Sequence, residues 1–378
     1  MPALQRPAPP EALVEVLRSA NVPLESYRDA CAACDEPCED HDDLSYPSGF
    51  DVDLVSQMLG ELKPYGRQII VSTGKSDWIR EVTDDEASIP GLVKAEYDKL
   101  QKASGGQGGL LAKLGGKVFG RSGNGEGDGK AAKAGEDLPG VHPSSAAGSP
   151  DGSVSSLLSI LTGSFISSSH HGHRESVISL PDFKIINEVE ATSASAEELV
   201  KRYLDPSVGR AGASLSGELK SWPLPYHCVI LLCSHRKRDK RCSIAAPLLI
   251  SQFHHHLERH GLHVDERGDD LAHGPAIEDW EGTVAEKEKR LQETLRGVKT
   301  DGGSVGLFKI SHIGGHRYAG NVILYFPNGS SVWFGRVTPA DVGVIVDRTV
   351  MQGKVIPELL RGGLGLAGKN GPKGVLDW

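Results

Sequence analysis

The chain contains no run of eighteen apolar residues, so nothing in it is predicted to cross a membrane. It has no basic surplus either. The 41 Lys and Arg stand against 50 Asp and Glu, a formal net charge of −9, which argues against nucleic acid as a bulk partner. Residues 1–10 lack the apolar stretch of a secretory signal and the Arg-rich amphipathic character of a mitochondrial one, and so predict a cytoplasmic or nuclear location. Cysteine is scarce: six residues, at 31, 34, 38, 228, 233 and 242. In a reducing compartment such groupings point to metal or redox sites rather than structural disulfides. Apolar residues thin out from about 103 to 178, where Gly, Ser, Ala and Lys dominate. That stretch cannot bury enough surface to offset its chain entropy, and is expected to be a disordered insertion with a short helix around 153–162.

Two familiar motifs are also missing. Gly74-Lys75-Ser76 matches the end of a phosphate-binding loop, but Ile69 stands where that motif needs glycine. His254, His255, His256 and His260 do not make His-Glu-x-x-His, because Glu258 is out of place; they read as the solvated face of a helix.

The elements that are present predict an α/β protein. Helical spacing occurs at 11–20 and 51–60, a buried strand at 67–73, order again from 180 to 190, and a helix near 195–204. These make a smaller N-terminal α/β domain, 11–205, interrupted by the insertion. The second unit, 221–353, opens with five apolar residues inside 227–233, which read as a central strand buried on both faces. Cys242 then opens a helix bearing Ile244, Leu248, Leu249, Phe253 and Leu257, with Pro247 near its first turn and Gly261 as its stop. A short strand at 262–264, a charged helix at 278–298, a strand at 306–310, a hairpin across Pro327-Asn328-Gly329-Ser330 and a last helix capped by Thr338 follow. The order β-α-β-α-β-β-α is that of a thioredoxin-like fold. Residues 354–378 are expected to be a flexible tail.

Two short stretches carry the candidate chemistry. One runs from Cys233 to Cys242, with eight residues between the cysteines; the other holds His312 and His316 around Ile313-Gly314-Gly315. Two cysteines and two histidines in pairs suit a tetrahedral zinc or an iron–sulfur cluster. The expectation is a 2Fe–2S cluster, with the cysteines on one iron and the histidines on the other. A loop leaving a central strand and entering a helix is where α/β sheets bind ligands. The helix dipole and the basic residues 236–241 favour thiolates there. Two ferric ions, two sulfides and two thiolates sum to zero charge, so the potential should lie in the raised, Rieske-like range. Histidine ligands would also couple electron transfer to protons. The pairing differs from Rieske centres, in which each segment supplies one cysteine and one histidine. Cys228 reads as a buried strand residue and His235 as a loop residue. The basic run could dock an acidic redox partner.

These motifs, with residues 315–321 around the second histidine, resemble the sucrase/ferredoxin-like family over about 221–350. The segment of Cys31, Cys34 and Cys38, and residues 73–78, are similar to that family's N-terminal part. The resemblance implies a thioredoxin-like ferredoxin. By position it makes Cys233, Cys242, His312 and His316 the ligands of a 2Fe–2S cluster in a proton-coupled electron carrier, rather than a catalyst of a substrate reaction. The last residues, Leu376, Asp377 and Trp378, are similar to the tripeptide by which clients are recognised by the cytosolic iron–sulfur assembly targeting complex. A second constellation, Cys31, Cys34, Cys38 and His41, reads as half-buried thiols in a Pro-containing turn, a compact zinc site or a dithiol pair. Two alternative functions stand beside the electron carrier: a thiol–disulfide oxidoreductase using Cys31 and Cys34, or a zinc-stabilised interaction module.

Overall fold

The computed structural model of the protein describes residues 8–32, 45–62, 65–103, 157–169, 171–299 and 302–378. A mixed sheet of eleven strands runs through it. In chain order the first-half elements are β1 (Arg67–Ser72), α1 (Ile89–Ala103), β2 (Leu158–Gly163), β3 (Arg174–Leu180), β4 (Lys184–Glu190), α2 (Ser193–Leu199, running on through Val200–Leu204) and β5 (Lys220–Pro223). The second half contains β6 (Tyr226–Cys233), α3 (Lys240–Arg259), β7 (His263–Asp265), α4 (Val284–Arg296), β8 (Ser304–Ile310), β9 (Val322–Tyr325), β10 (Ser331–Phe334), helical turns at 339–350, and β11 (Leu360–Leu364).

The strand order is β11-β10-β9-β6-β8-β2-β1-β3-β4-β5, with β7 beside β8. Read outward from the centre, the two halves have the same plan. β1 pairs parallel with β2, and β6 with β8, each across a connection that contains a helix. β3, β4 and β5 then add antiparallel, as β9, β10 and β11 do. The second half therefore follows the expected thioredoxin-like order, with the short strand expected at 262–264 present as β7 and one strand more than that order contains before the closing helical turns. The same pairing plan, without a counterpart of β7, recurs in the first. The halves join through one antiparallel register pair, Gly163 with Ile310. Ser311 N–H donates to Thr162 O at 2.9 Å, and Thr162 N–H to Ser311 Oγ at 3.1 Å.

Alternation along the strands explains the layering. Cys228, Ile230 and Leu232 of β6 face a core with Leu249 and Phe253 of α3. Val229 and Leu231 face the other side, packing with Ile178, Phe183, Leu291 and Phe308 in a core that both halves share. Ile69 and Val71 of β1 face a third core, closed by α1 and α2 through Val93, Leu199 and Tyr203.

Several expectations need correction. No helix forms at 51–60: Asp53 Oδ1 accepts from Val55 N–H at 2.9 Å and Ser56 N–H at 2.8 Å, a local turn that competes with helix. Order resumes by 157, not 179, and the expected helix around 153–162 is replaced over 158–163 by β2. The serines of this stretch satisfy one another and the backbone: Ser168 N–H donates to Ser176 Oγ at 2.8 Å and Ser167 Oγ to Arg174 O at 2.8 Å. The remainder of the expected insertion, 104–156, lies outside the described residues. Residues 11–30 do not belong with the first half. Leu13, Leu17, Val22 and Tyr27 pack into the core beneath α3, and Leu24 bridges Val355. The tail also packs: β11 extends the sheet, and Leu366 and Val375 are fully buried.

Candidate thiol–imidazole site

Cys233 ends β6 and Cys242 lies in the first turn of α3, so the eight residues between them bring two thiols to one point. The intervening loop is held by its own turn, in which Arg238 and Asp239 N–H donate to His235 O at 3.2 and 3.0 Å. Asp239 caps α3 and accepts from Arg241 N–H at 2.9 Å. Both cysteines are free thiols and buried, at 4% and 1% exposure. Their sulfurs hydrogen-bond each other, and the His312 imidazole lies against Cys233. The Cys242 hydrogen bond first, then His312, hold the Cys233 thiol well below the usual cysteine range, although burial opposes them. Cys242 is pushed up, by its bond to Cys233 and by burial.

His312 and His316 leave β8 through Gly314 and Gly315, at φ of 81° and 66°, backbone that favours glycine. A Cβ at Gly315 would meet Arg361 Nη2 at 2.4 Å. That arginine of β11 is buried. Its Nη1 donates to Asn321 Oδ1 at 2.7 Å and to Gly314 O at 3.4 Å, and burial pulls its pKa down to about 10. Asn321 Nδ2 in turn donates to Gly315 O at 3.1 Å, and Cys233 N–H donates to Asn321 O at 3.3 Å. A buried cation and an amide therefore brace the histidine loop and the Cys233 backbone together. The imidazoles of His312 and His316 lie 5.4 Å apart, centre to centre. The outer ring, His316, is exposed; the burial it has, and then His312, lower its pKa.

Cys233, Cys242, His312 and His316 lie near one another beyond the ends of β6 and β8, and Cys228 is buried in β6. The electron-carrier reading built on them does not hold. Among the described residues, no group of three or more His, Cys, Asp or Glu side chains is placed to hold a metal ion. The contacts run in a chain, Cys242 to Cys233 to His312 to His316. The same finding gives no support to a zinc ion held by these four residues. Cys34, Cys38 and His41, on which the second constellation rests, lie outside the described residues, and Cys31 is described only as part of the helix Tyr27–Ala32. Of the basic run, Arg238 pairs with Glu81 and Arg241 with Asp239. Leu376 packs on the core and Asp377 Oδ2 accepts from Lys373 N–H at 3.1 Å. Trp378 is 46% exposed, with Arg296 at 5.0 Å over its ring.

Arg361 and Glu81 carry no signal as site residues, because their roles arise from contacts distant in sequence, whereas Asn321 and Trp78 end the two stretches that resemble the family, without any role being assigned to them there. The glycines at 314 and 315 are the one cue, since a tight loop needs something behind it.

Fold and site define a thioredoxin-like α/β protein, duplicated in topology, with one buried dithiol–imidazole centre. The chain belongs to the sucrase/ferredoxin-like family, whose model matches residues 58–362. Among curated relatives it is similar to the Altered inheritance of mitochondria protein 32 of Debaryomyces hansenii, 39% identical over 35% of this chain and 35% of that one. The protein of the same name in Clavispora lusitaniae is 31% identical over 53% of this chain and 63% of its own. The Actin patches distal protein 1 of Saccharomyces cerevisiae is 29% identical over 48% of each. The matched part thus spans from about a third to just under two thirds of these relatives' length. No solved structure matches. Among the described residues, no helix is long and apolar enough to cross a membrane.

Proposed function

We propose that Cys233 and Cys242 form a redox-active thiol pair and that the protein is a thiol–disulfide oxidoreductase, its chemistry lying here rather than at Cys31 and Cys34. The observation that carries this reading is geometric: two free, buried thiols meet where β6 ends and α3 begins, and the His312 imidazole lies against the first of them. A nucleophilic and a resolving thiol need that proximity, and an imidazole beside one of them favours its thiolate. The Cys233 thiolate attacks one sulfur of a substrate disulfide. The S–S bond breaks, and the leaving thiolate takes a proton from solvent. Cys242 then loses its proton and attacks Cys233 Sγ, expelling the second substrate thiolate, which is protonated in turn. Two electrons pass from the pair to the substrate, and the Cys233 and Cys242 sulfurs end as one disulfide. His312, whose imidazole lies against Cys233 and whose buried Nδ1 has no hydrogen-bond partner, stands beside the attacking sulfur, and the Cys242 proton passes to solvent. Because both sulfurs are recessed, the substrate must present its disulfide on a narrow or extended segment.

Trapping tests this. Cys242→Ser, treated with a small disulfide, should accumulate a mixed disulfide at Cys233, found by mass spectrometry of the digest. Cys233→Ser should give none. An adduct on another cysteine, or none in Cys242→Ser, overturns the reading.

A further inference from the structure

The residue between the two halves of the molecule at this site is His235. It is fully buried. Its Nδ1 lies 3.2 Å from the backbone N of His312, and its Nε2 lies 3.0 Å from Trp78 O. An amide N–H can only donate, so Nδ1 accepts; Nε2 must then carry the hydrogen and donate to Trp78. The two bonds fix a neutral ring with both nitrogens occupied. One partner is the backbone of the residue whose imidazole rests on Cys233. The other belongs to the loop that leaves β1 in the first half.

Neighbouring contacts make this a seam rather than one bond. Ser234 Oγ donates to Ser76 O at 3.1 Å, Lys237 N–H donates to Asp77 Oδ1 at 3.2 Å, and Arg238 pairs with Glu81. The Trp78 ring stands edge-on to His235, with centroids 5.8 Å apart. Trp78 Nε1 donates to Thr73 Oγ1 at 2.9 Å, and Thr73 Oγ1 donates to Gly163 O at 2.7 Å. Gly163 is the residue that pairs with Ile310, two before His312. The circuit from His312 through His235, Trp78, Thr73 and Gly163 therefore closes on the strand that presents His312.

We propose that His235 is a positioning residue that makes the alignment of His312 on Cys233 depend on the docked loop 73–81 of the first half. A shift of that loop would reach the thiol pair through one ring, with no residue of the loop touching a sulfur.

Two variants separate the two bonds. Asn can place a carbonyl oxygen near the Nδ1 position and keep the acceptor for His312. Gln can place an amide near the Nε2 position and keep the donor to Trp78. Hydrogen–deuterium exchange on the full chain is the readout, because it does not rest on the thiol reading above. In His235→Asn, exchange should speed up in peptides covering 73–81 and stay near wild type over 310–316; in His235→Gln the pattern should reverse. Alkylation of Cys233 at pH 7 should slow roughly tenfold in His235→Gln, the equivalent of about one pKa unit, and change little in His235→Asn. Unaltered exchange in both loops, or equal changes in both variants tracking a common loss of stability, overturns the proposal. If exchange behaves as expected but wild-type Cys233 alkylates no faster than free cysteine, the thiol reading fails and the positioning role stands.

Discussion

The two halves of the sheet share a strand plan and differ in what their loops carry. Cys233 pairs with Ile310 and Ser72 with Gly163, so Ser72 occupies in the first half the place of Cys233 in the second. Two residues beyond each partner strand's end stand His312 and Phe165. The first-half residues are spent on structure. Ser72 Oγ bonds Glu175 and accepts from Ser176 N–H at 2.9 Å, and Phe165 packs on Phe308 with centroids 5.4 Å apart. The same scaffold gathers loops at the carboxyl ends of its central strands in both halves. Only in the second half do those positions hold soft, ionisable groups. The first half instead contributes its loop 73–81 as one wall of the other half's site.

The comparison can be broken most severely by making the second half resemble the first. Cys233→Ser should abolish disulfide formation by Cys242 altogether, whereas Ser72→Ala should leave it within about twofold; thiol–disulfide exchange rates check both. Next in size are the cores. Ile70 and Leu231, each two residues before its strand end, face the shared core. Ala at either should cost about 2–5 kcal/mol in denaturant unfolding. Because that core spans both halves, unfolding should remain a single transition by fluorescence and circular dichroism.

His312→Phe, the residue of the first half, should raise the Cys233 pKa and slow its alkylation at pH 7 by about tenfold. The sign follows from the cause. Cys233 has a folded pKa below its unfolded value, so the stability its thiolate contributes is full above about 8.5 and is lost as pH falls through the folded pKa. His312→Phe should therefore flatten the alkylation and stability profiles below that pH. The smallest effects lie at helix caps. Thr283 makes a reciprocal capping box with Glu286 on α4, while Thr192 accepts only from Ser195 N–H on α2. Thr283→Ala should cost about 1 kcal/mol and Thr192→Ala somewhat less, read from thermal melts.

Much of the second half is legible in the sequence because its strands are long apolar runs and its turns carry strong residues, such as Asn328-Gly329. The grouping of Cys233, Cys242, His312 and His316 is legible for the same reason: Cys233 ends one recognisable strand, Cys242 opens the helix after it, and the histidines follow another strand. What they do together is not, because spacing gives the donor types but not whether they converge. The duplication leaves no pattern in the sequence, since equivalent positions hold unlike residues. Arg361, Asn321 and Trp78 act on the site across the sheet or the seam between halves. The early return of order at 157 is hidden by serines that satisfy one another, and the absence of a helix at 51–60 by the turn at Asp53.

The central claim is that the Cys233 and Cys242 sulfurs exchange electrons directly with a disulfide. Mass spectrometry of the freshly purified full chain, before and after reduction and with iron and acid-labile sulfide assayed on the same sample, tests it most directly. A colourless protein in which these two cysteines pass reversibly between two thiols and one disulfide is the predicted result. A coloured protein that retains iron and sulfide, with both thiols blocked until the metal is removed, would contradict it.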